Sequence, residues 1–147
     1  MSNYTKSVPG QSRYAVIADD VDTIANLGGR YLQAFKLFEK GQTEACENGK
    51  EALDFCLKNP LTVQLLITDW NMPVMGGEGL IMGLKKEGHP IYEKKKIIVM
   101  TGQRDDTAYR EVIQKLAGLE IPDNNMFQKP PNWPDVMKMA GELVSSI

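Results

Sequence analysis

The chain has 147 residues, 42% hydrophobic and 24% charged, the values of one globular domain able to bury a core without disulfide or metal staples. Its formal charge of -2 gives no basic face for nucleic acid or an anionic membrane, and no apolar run reaches the length of a signal-peptide core or membrane span. The expected location is cytoplasmic, and Cys46 and Cys56, which have neither a Cys-x-x-Cys nor a close metal-ligand spacing, are expected reduced and buried.

Residues 1–13 are polar, include Pro9 and Gly10, and read as a flexible tail ahead of a domain over 14–147. Tyr14 to Ala18, "YAVIA", is a short apolar run of strand length ending on Asp19 and Asp20. Ile24, Leu27, Tyr31, Leu32, Phe35 and Phe38 then mark a helix, which Gly28 and Gly29 weaken by about 1 kcal/mol each. "QTEAC" reads as a second strand and "NGKEALDFCLKN" as a turn leading into an amphipathic helix. "QLLITD" is the third strand, followed by a helix from about Glu78 to Lys86 and a loop around His89 and Pro90. The lysines at 85–86 and 94–96 are expected on solvated surface. "KKIIVMT" is the fourth strand, ending on Thr101, and Asp105 or Asp106 can cap a fourth helix with Tyr109, Val112, Ile113 and Leu116 on its apolar face. "NMFQK" is a weaker fifth strand ending at Lys129-Pro130-Pro131, and a last helix opens near Pro134 and buries Val136, Ala140, Leu143 and Val144.

Strand and helix alternate five times, which predicts a doubly wound α/β fold: a five-stranded parallel sheet with helices on both faces. In such sheets ligands bind beyond the carboxyl ends of the strands. Asp19 and Asp20, Asp69, Thr101 and Lys129 stand at those ends, so three carboxylates, a hydroxyl and an ammonium are expected in one crevice. Acids that close repel, and a hard divalent cation with oxygen ligands, Mg²⁺ foremost, relieves them. A carboxylate in that setting can accept a phosphoryl group whose oxygens are held by the cation, the lysine and the hydroxyl.

Asp19-Asp20, "NGKEAL", "DWNMPVMGG" around Asp69, Thr101 with the small Gly102, and Lys129-Pro130 together resemble the receiver domains of two-component response regulators, of the chemotaxis-regulator kind. The resemblance covers nearly the whole chain from Tyr14 and implies a flavodoxin-like sheet of strand order 2-1-3-4-5. It implies that Asp69 is the phosphoacceptor, taking its phosphoryl group from a phosphohistidine of a histidine kinase or histidine phosphotransfer domain. It further implies that Asp20 ligates Mg²⁺ directly, Asp19 mostly through water, and Asn71 through its carbonyl. Lys129 would pair with the acceptor and then with the phosphoryl group, and Lys129-Pro130 would be a cis peptide. Thr101 would report phosphorylation, while Asn71 and Gln103 would tune the lifetime of the phosphoryl group. The protein would act as a signalling domain whose only chemistry is its own phosphorylation and dephosphorylation, not as an enzyme on other substrates. Its downstream partner would bind the face of the fourth helix, fifth strand and fifth helix; neither nucleic acid nor membrane is expected. Only Ser145, Ser146 and Ile147 follow the last helix, so a single-domain regulator without an output domain is expected.

Three features depart from the family pattern. Met126 stands where an aromatic residue is usual and Phe127 is one position late, which sends the ring to the opposite face and puts the aromatic switch in question. Gly76 replaces a common Asp and is expected to loosen its loop, and "GLEIPDNN" looks like an insertion before the fifth strand. Two other functions compete: a degenerate receiver that binds partners without phosphorylation, and a haloacid-dehalogenase-like phosphatase with Asp20 as nucleophile and Asp22 as acid/base. The second leaves Asp69 without a role and lacks a further acidic pair after Lys129.

Overall fold

A computed structural model describes residues 13–102 and 106–145. The proposed tail, apart from Arg13, and Gln103 and Asp105 lie outside the described residues. The elements are β1 (Tyr14–Ala18), α1 (Asp22–Ala34), β2 (Thr43–Cys46), α2 (Gly49–Lys58), β3 (Val63–Asp69), α3 (Gly77–Lys86), α4 (Pro90–Glu93), β4 (Ile97–Thr101), α5 (Asp106–Gly118), β5 (Met126–Gln128) and α6 (Trp133–Ser145). The strands form one parallel sheet in the order β2-β1-β3-β4-β5, the doubly wound, flavodoxin-like arrangement.

Alternation along each strand divides the core in two. Val16, Ala18, Leu66, Ile97 and Val99 face α2, α3, α4 and α5, while Ala15, Ile17, Leu65, Ile67, Ile98 and Met100 face α1 and α6. β3 and β4 are apolar almost throughout because both of their faces are covered.

Gly28 and Gly29 do not break α1; they let it sit close. A Cβ at Gly28 would stand 3.1 Å from the Trp133 ring, which also stacks on Tyr31 at 5.5 Å between centroids. The propensity cost is met by packing against α6, so tertiary context overrides the local preference.

Two parts of the sequence reading need correction. The expected loop at His89-Pro90 holds the short helix α4, so the predicted fourth and fifth helices are α5 and α6. His89 is buried, its Nδ1 accepts from the Ile91 N–H at 3.1 Å, and its Nε2 lies 2.9 Å from the Cys56 carbonyl oxygen. Among the lysines expected in solvent, Lys96 is buried, with its pKa pushed down by burial and by the nearby Lys94 and Arg13, and Lys95 lies 3.6 Å over the Tyr92 ring.

The segment before β5 is packed. Leu119 and Ile121 are buried, the Tyr92 hydroxyl donates to the Leu119 carbonyl at 2.8 Å, and Asn125 Nδ2 donates to the Ile97 carbonyl at 2.9 Å. Met126 is buried on the α5 side, whereas Phe127 is half-buried against the α1–α6 cluster; the one-residue shift does turn the ring to the other face. Cys46 and Cys56 are free and buried, and burial first, then neighbouring charge, pushes each thiol up to about 12.

Candidate functional site

The strand ends are level with one another, and this builds the site. Ala18 pairs with Thr68, so Asp19 and Asp69 each stand one residue further along; Asp69 pairs with Met100, and Thr101 pairs with Gln128. The ladder continues past the strands through Asp19 N–H to Cys46 O at 2.9 Å, Trp70 N–H to Met100 O at 2.8 Å and Lys129 N–H to Thr101 O at 2.8 Å. Backbone hydrogen bonds therefore hold Asp19, Asp69, Thr101 and Lys129 in line at the strand ends.

Lys129 Nζ lies 2.7 Å from Asp19 Oδ2 and 3.0 Å from Asp69 Oδ2. The sequence reading paired this ammonium with Asp69 alone; it bridges both carboxylates. Asp19 is 1% exposed, and its Oδ1 also accepts from the Val21 N–H at 2.9 Å, so the same carboxylate shapes the turn into α1. Carboxylate oxygens of Asp19, Asp20 and Asp69 lie within 4.8 Å of one another. Asp20 is exposed at the rim, and Asn71 is also exposed, its backbone N–H bonded to the Asp69 carboxylate. Thr101 is fully buried at the end of β4, and Gly102 beyond it is exposed with open space at its Cβ position. The Lys129–Pro130 peptide bond is cis.

The electrostatics follow from this crowding. Burial raises the Asp69 pKa, the Asp19 charge adds to the rise, and Lys129 and the Asn71 N–H work against it. Burial alone would lower the Lys129 pKa, but Asp19 and Asp69 outweigh it and hold the ammonium above the ordinary lysine range. Three carboxylates share one cation here, and the donors are all oxygen. That set fits a hard divalent ion, whose charge would offset the excess of carboxylates.

A cleft of about 590 Å³ opens outside the cluster between the β3–α3 loop and α5, lined in part by Asp20, Trp70, Asn71, Glu78 and Lys115. Gly76 was expected to loosen this loop, yet the loop is tied down. Gly77 N–H bonds Trp70 O at 2.8 Å, Gly49 N–H bonds Met75 O at 2.8 Å, and a Cβ at Gly76 would stand 2.7 Å from Trp70 O. Glu78 and Lys115 escaped the sequence reading because they belong to separate helices, and no local pattern reports that α3 and α5 flank one opening.

A model of the response regulator receiver domain family matches residues 15–122. The chain belongs to that family. The matched span stops before β5, so Lys129 lies beyond it. Chemotaxis protein CheY homologs of Campylobacter jejuni are 41% identical to this receiver over 93 residues, 63% of this chain and 63% of theirs. The chain thus spans a little under two thirds of the length of the curated relatives it matches. Among solved structures, the chemotaxis response regulator CheY4 of Vibrio cholerae has a TM-score of 0.71 at 22% identity, with 90% of this chain and 99% of that one covered. A response regulator receiver domain protein from Clostridium thermocellum has a TM-score of 0.70 at 20% identity, covering 90% and 94%. These structural likenesses concern the fold.

Proposed function

We propose that this CheY-like receiver accepts a phosphoryl group on Asp69 and passes the event on through changed partner binding. The observation that carries the reading is the Asp69 carboxylate, buried at a strand end, with Lys129 Nζ at 3.0 Å and two further carboxylates beside it. Asp20, the nucleophile of the rival phosphatase reading, is exposed at the rim, whereas Asp69 is buried with Lys129 Nζ at 3.0 Å, which favours Asp69.

In the proposed step an Asp69 oxygen attacks the phosphorus of a phosphohistidine, the O–P bond forms as the P–N bond breaks, and the departing imidazole nitrogen takes up a proton. Lys129 holds the acceptor in place and then pairs with a transferred oxygen. Asp19, Asp20 and Asp69, with the Asn71 carbonyl, would hold Mg²⁺, which when bound supplies positive charge for the phosphoryl oxygens. Thr101, with Gly102 and Gln103 after it, is the proposed sensor segment. Met126, already buried, leaves no aromatic rotamer to follow the sensor, so the response of the α5–β5–α6 face, which includes Pro130, rests on backbone and helix shifts.

The proposed donor is a histidine kinase or histidine phosphotransfer domain, a helical partner in either case. In support, Val21 at the start of α1 and Leu27 on it are exposed apolar residues at the end of the helix that follows Asp20. Binding in trans then works by differential affinity for two conformations. The test is labelling with a phosphodonor in MgCl₂: Asp69→Asn should take no label and Asp20→Asn should still take some. Label that survives Asp69→Asn but not Asp20→Asn would overturn the assignment in favour of the phosphatase reading.

A further inference from the structure

The cleft outside the carboxylate cluster has an unbalanced charge. Asp20 and Glu78 line it and Asp19 and Asp69 lie behind, while the Lys129 ammonium is engaged by those two buried carboxylates. Among the described residues lining the cleft, Lys115 is the one cation. It reaches across from α5, and its Nζ lies 3.3 Å from Glu78 Oε1 on the first turn of α3. The two side chains are 53% and 39% exposed, so the pair is solvent-screened and readily exchanged for another anion.

Phosphodonors are anions, and among the described residues the field on the way to Asp69 is set mostly by carboxylates. An ammonium on the wall of the cleft raises the local concentration of an anion and the rate of productive encounter, an effect that fades with ionic strength. We propose that Lys115 is a specificity-determining residue that draws anionic phosphodonors into the cleft, and that Glu78 restrains it by competing for the same ammonium. The proposal rests on the reading of Asp69 as phosphoacceptor. It also explains why an otherwise weak bridge spans two helices that share an opening beside the site: the bridge is the resting partner of a group whose working partner arrives from solution.

The experiment measures phosphorylation of the intact chain by acetyl phosphate, a dianion, and by the less negative phosphoramidate, followed on phosphate-affinity gels in MgCl₂ at low and high salt. Lys115→Gln should slow labelling by acetyl phosphate by about 3- to 10-fold at low salt, and Glu78→Gln should speed it by about 2-fold or more. Lys115→Arg should restore the rate. Phosphoramidate should respond less in each variant, and all differences should shrink in about 1 M salt, where screening acts within ~3 Å. Breaking the bridge from either side removes the same contact, so a purely structural bridge changes both variants in the same direction. Changes of like sign, equal effects on the two donors, or effects indifferent to salt would each overturn the proposal. A wild-type chain that takes no label on Asp69 from either donor would instead overturn the phosphoacceptor reading and this inference with it.

Discussion

Replacing Lys129 by Met keeps most of the side-chain volume and removes the charge from between Asp19 and Asp69. The ammonium contacts their oxygens at 2.7 and 3.0 Å, and the carboxylates are 1% and 6% exposed, so both lose their counter-ion in a poorly solvated place. Breaking a buried pair costs about 3–5 kcal/mol. Two effects reduce that figure here: the crevice is open to water on the Asp20 side, and Asp69 can take a proton. A loss of about 2–4 kcal/mol at neutral pH in EDTA is expected. The pH dependence has a definite sign. The Asp69 pKa is already raised by burial, and without Lys129 it rises further. The folded state then keeps a proton that the unfolded carboxyl, with a pKa of about 3.9, has released, so stability is greatest below that value and is lost as pH rises through the folded pKa. Urea denaturation followed by circular dichroism should thus show a smaller penalty at about pH 5 than at about pH 7.5, the difference growing by at most ~1.4 kcal/mol per pH unit. Millimolar MgCl₂ should recover more stability in the variant than in the wild type. A penalty under about 1 kcal/mol, or one equal at both pH values, would refute the view that the ammonium is the principal counter-charge of this site.

His89 should give the molecule a second, separate pH response. Nδ1 accepts a hydrogen bond from Ile91, so Nε2–H donates to Cys56 O and the ring is neutral; burial lowers its pKa, with the Cys56 carbonyl acting in the opposite direction. The unfolded ring takes a proton below about pH 6.5 that the folded ring refuses, so stability should fall as pH drops from there towards the folded value. His89 is the one histidine, so stability curves of wild type and His89→Gln that stay parallel between about pH 5 and 7 would rule this out. Val74 has φ 68 and is 83% exposed, a left-handed conformation that is strained for a β-branched residue with nothing to pack on. Val74→Gly should stabilise by about 0.5–1 kcal/mol in urea titrations, and a clear loss would show that the side chain has an unrecognised contact. At Gly76 an added Cβ would meet Trp70 O at 2.7 Å, so Gly76→Ala should cost about 1–3 kcal/mol; a neutral melting temperature would mean that the loop yields more easily than its hydrogen bonds indicate.

The strands were legible because a parallel sheet covered on both faces writes itself as short apolar runs, and "YAVIA" became β1 without adjustment at either end. The meeting of four strand ends was legible too, since β1, β3, β4 and β5 each stop at a polar residue. What the sequence hid was set by partners distant along the chain. α4 has four residues, too few for a periodic pattern, and is defined by His89 capping it from one side while Tyr92 reaches Leu119 on the other. Lys96 carries the charge of a surface residue, and only the fold reveals that its position at the start of β4 is enclosed. The dual engagement of Lys129 was likewise out of reach, because spacing locates an ammonium at a strand end without specifying which of two acids it meets.

The two outermost strands of the sheet, β2 and β5, are four and three residues long, shorter than the three between them. An unpaired strand margin is a template onto which a foreign segment can zip, and its hazard grows with its length. With so little open ladder on either flank, the sheet offers few sites for fibril-like stacking.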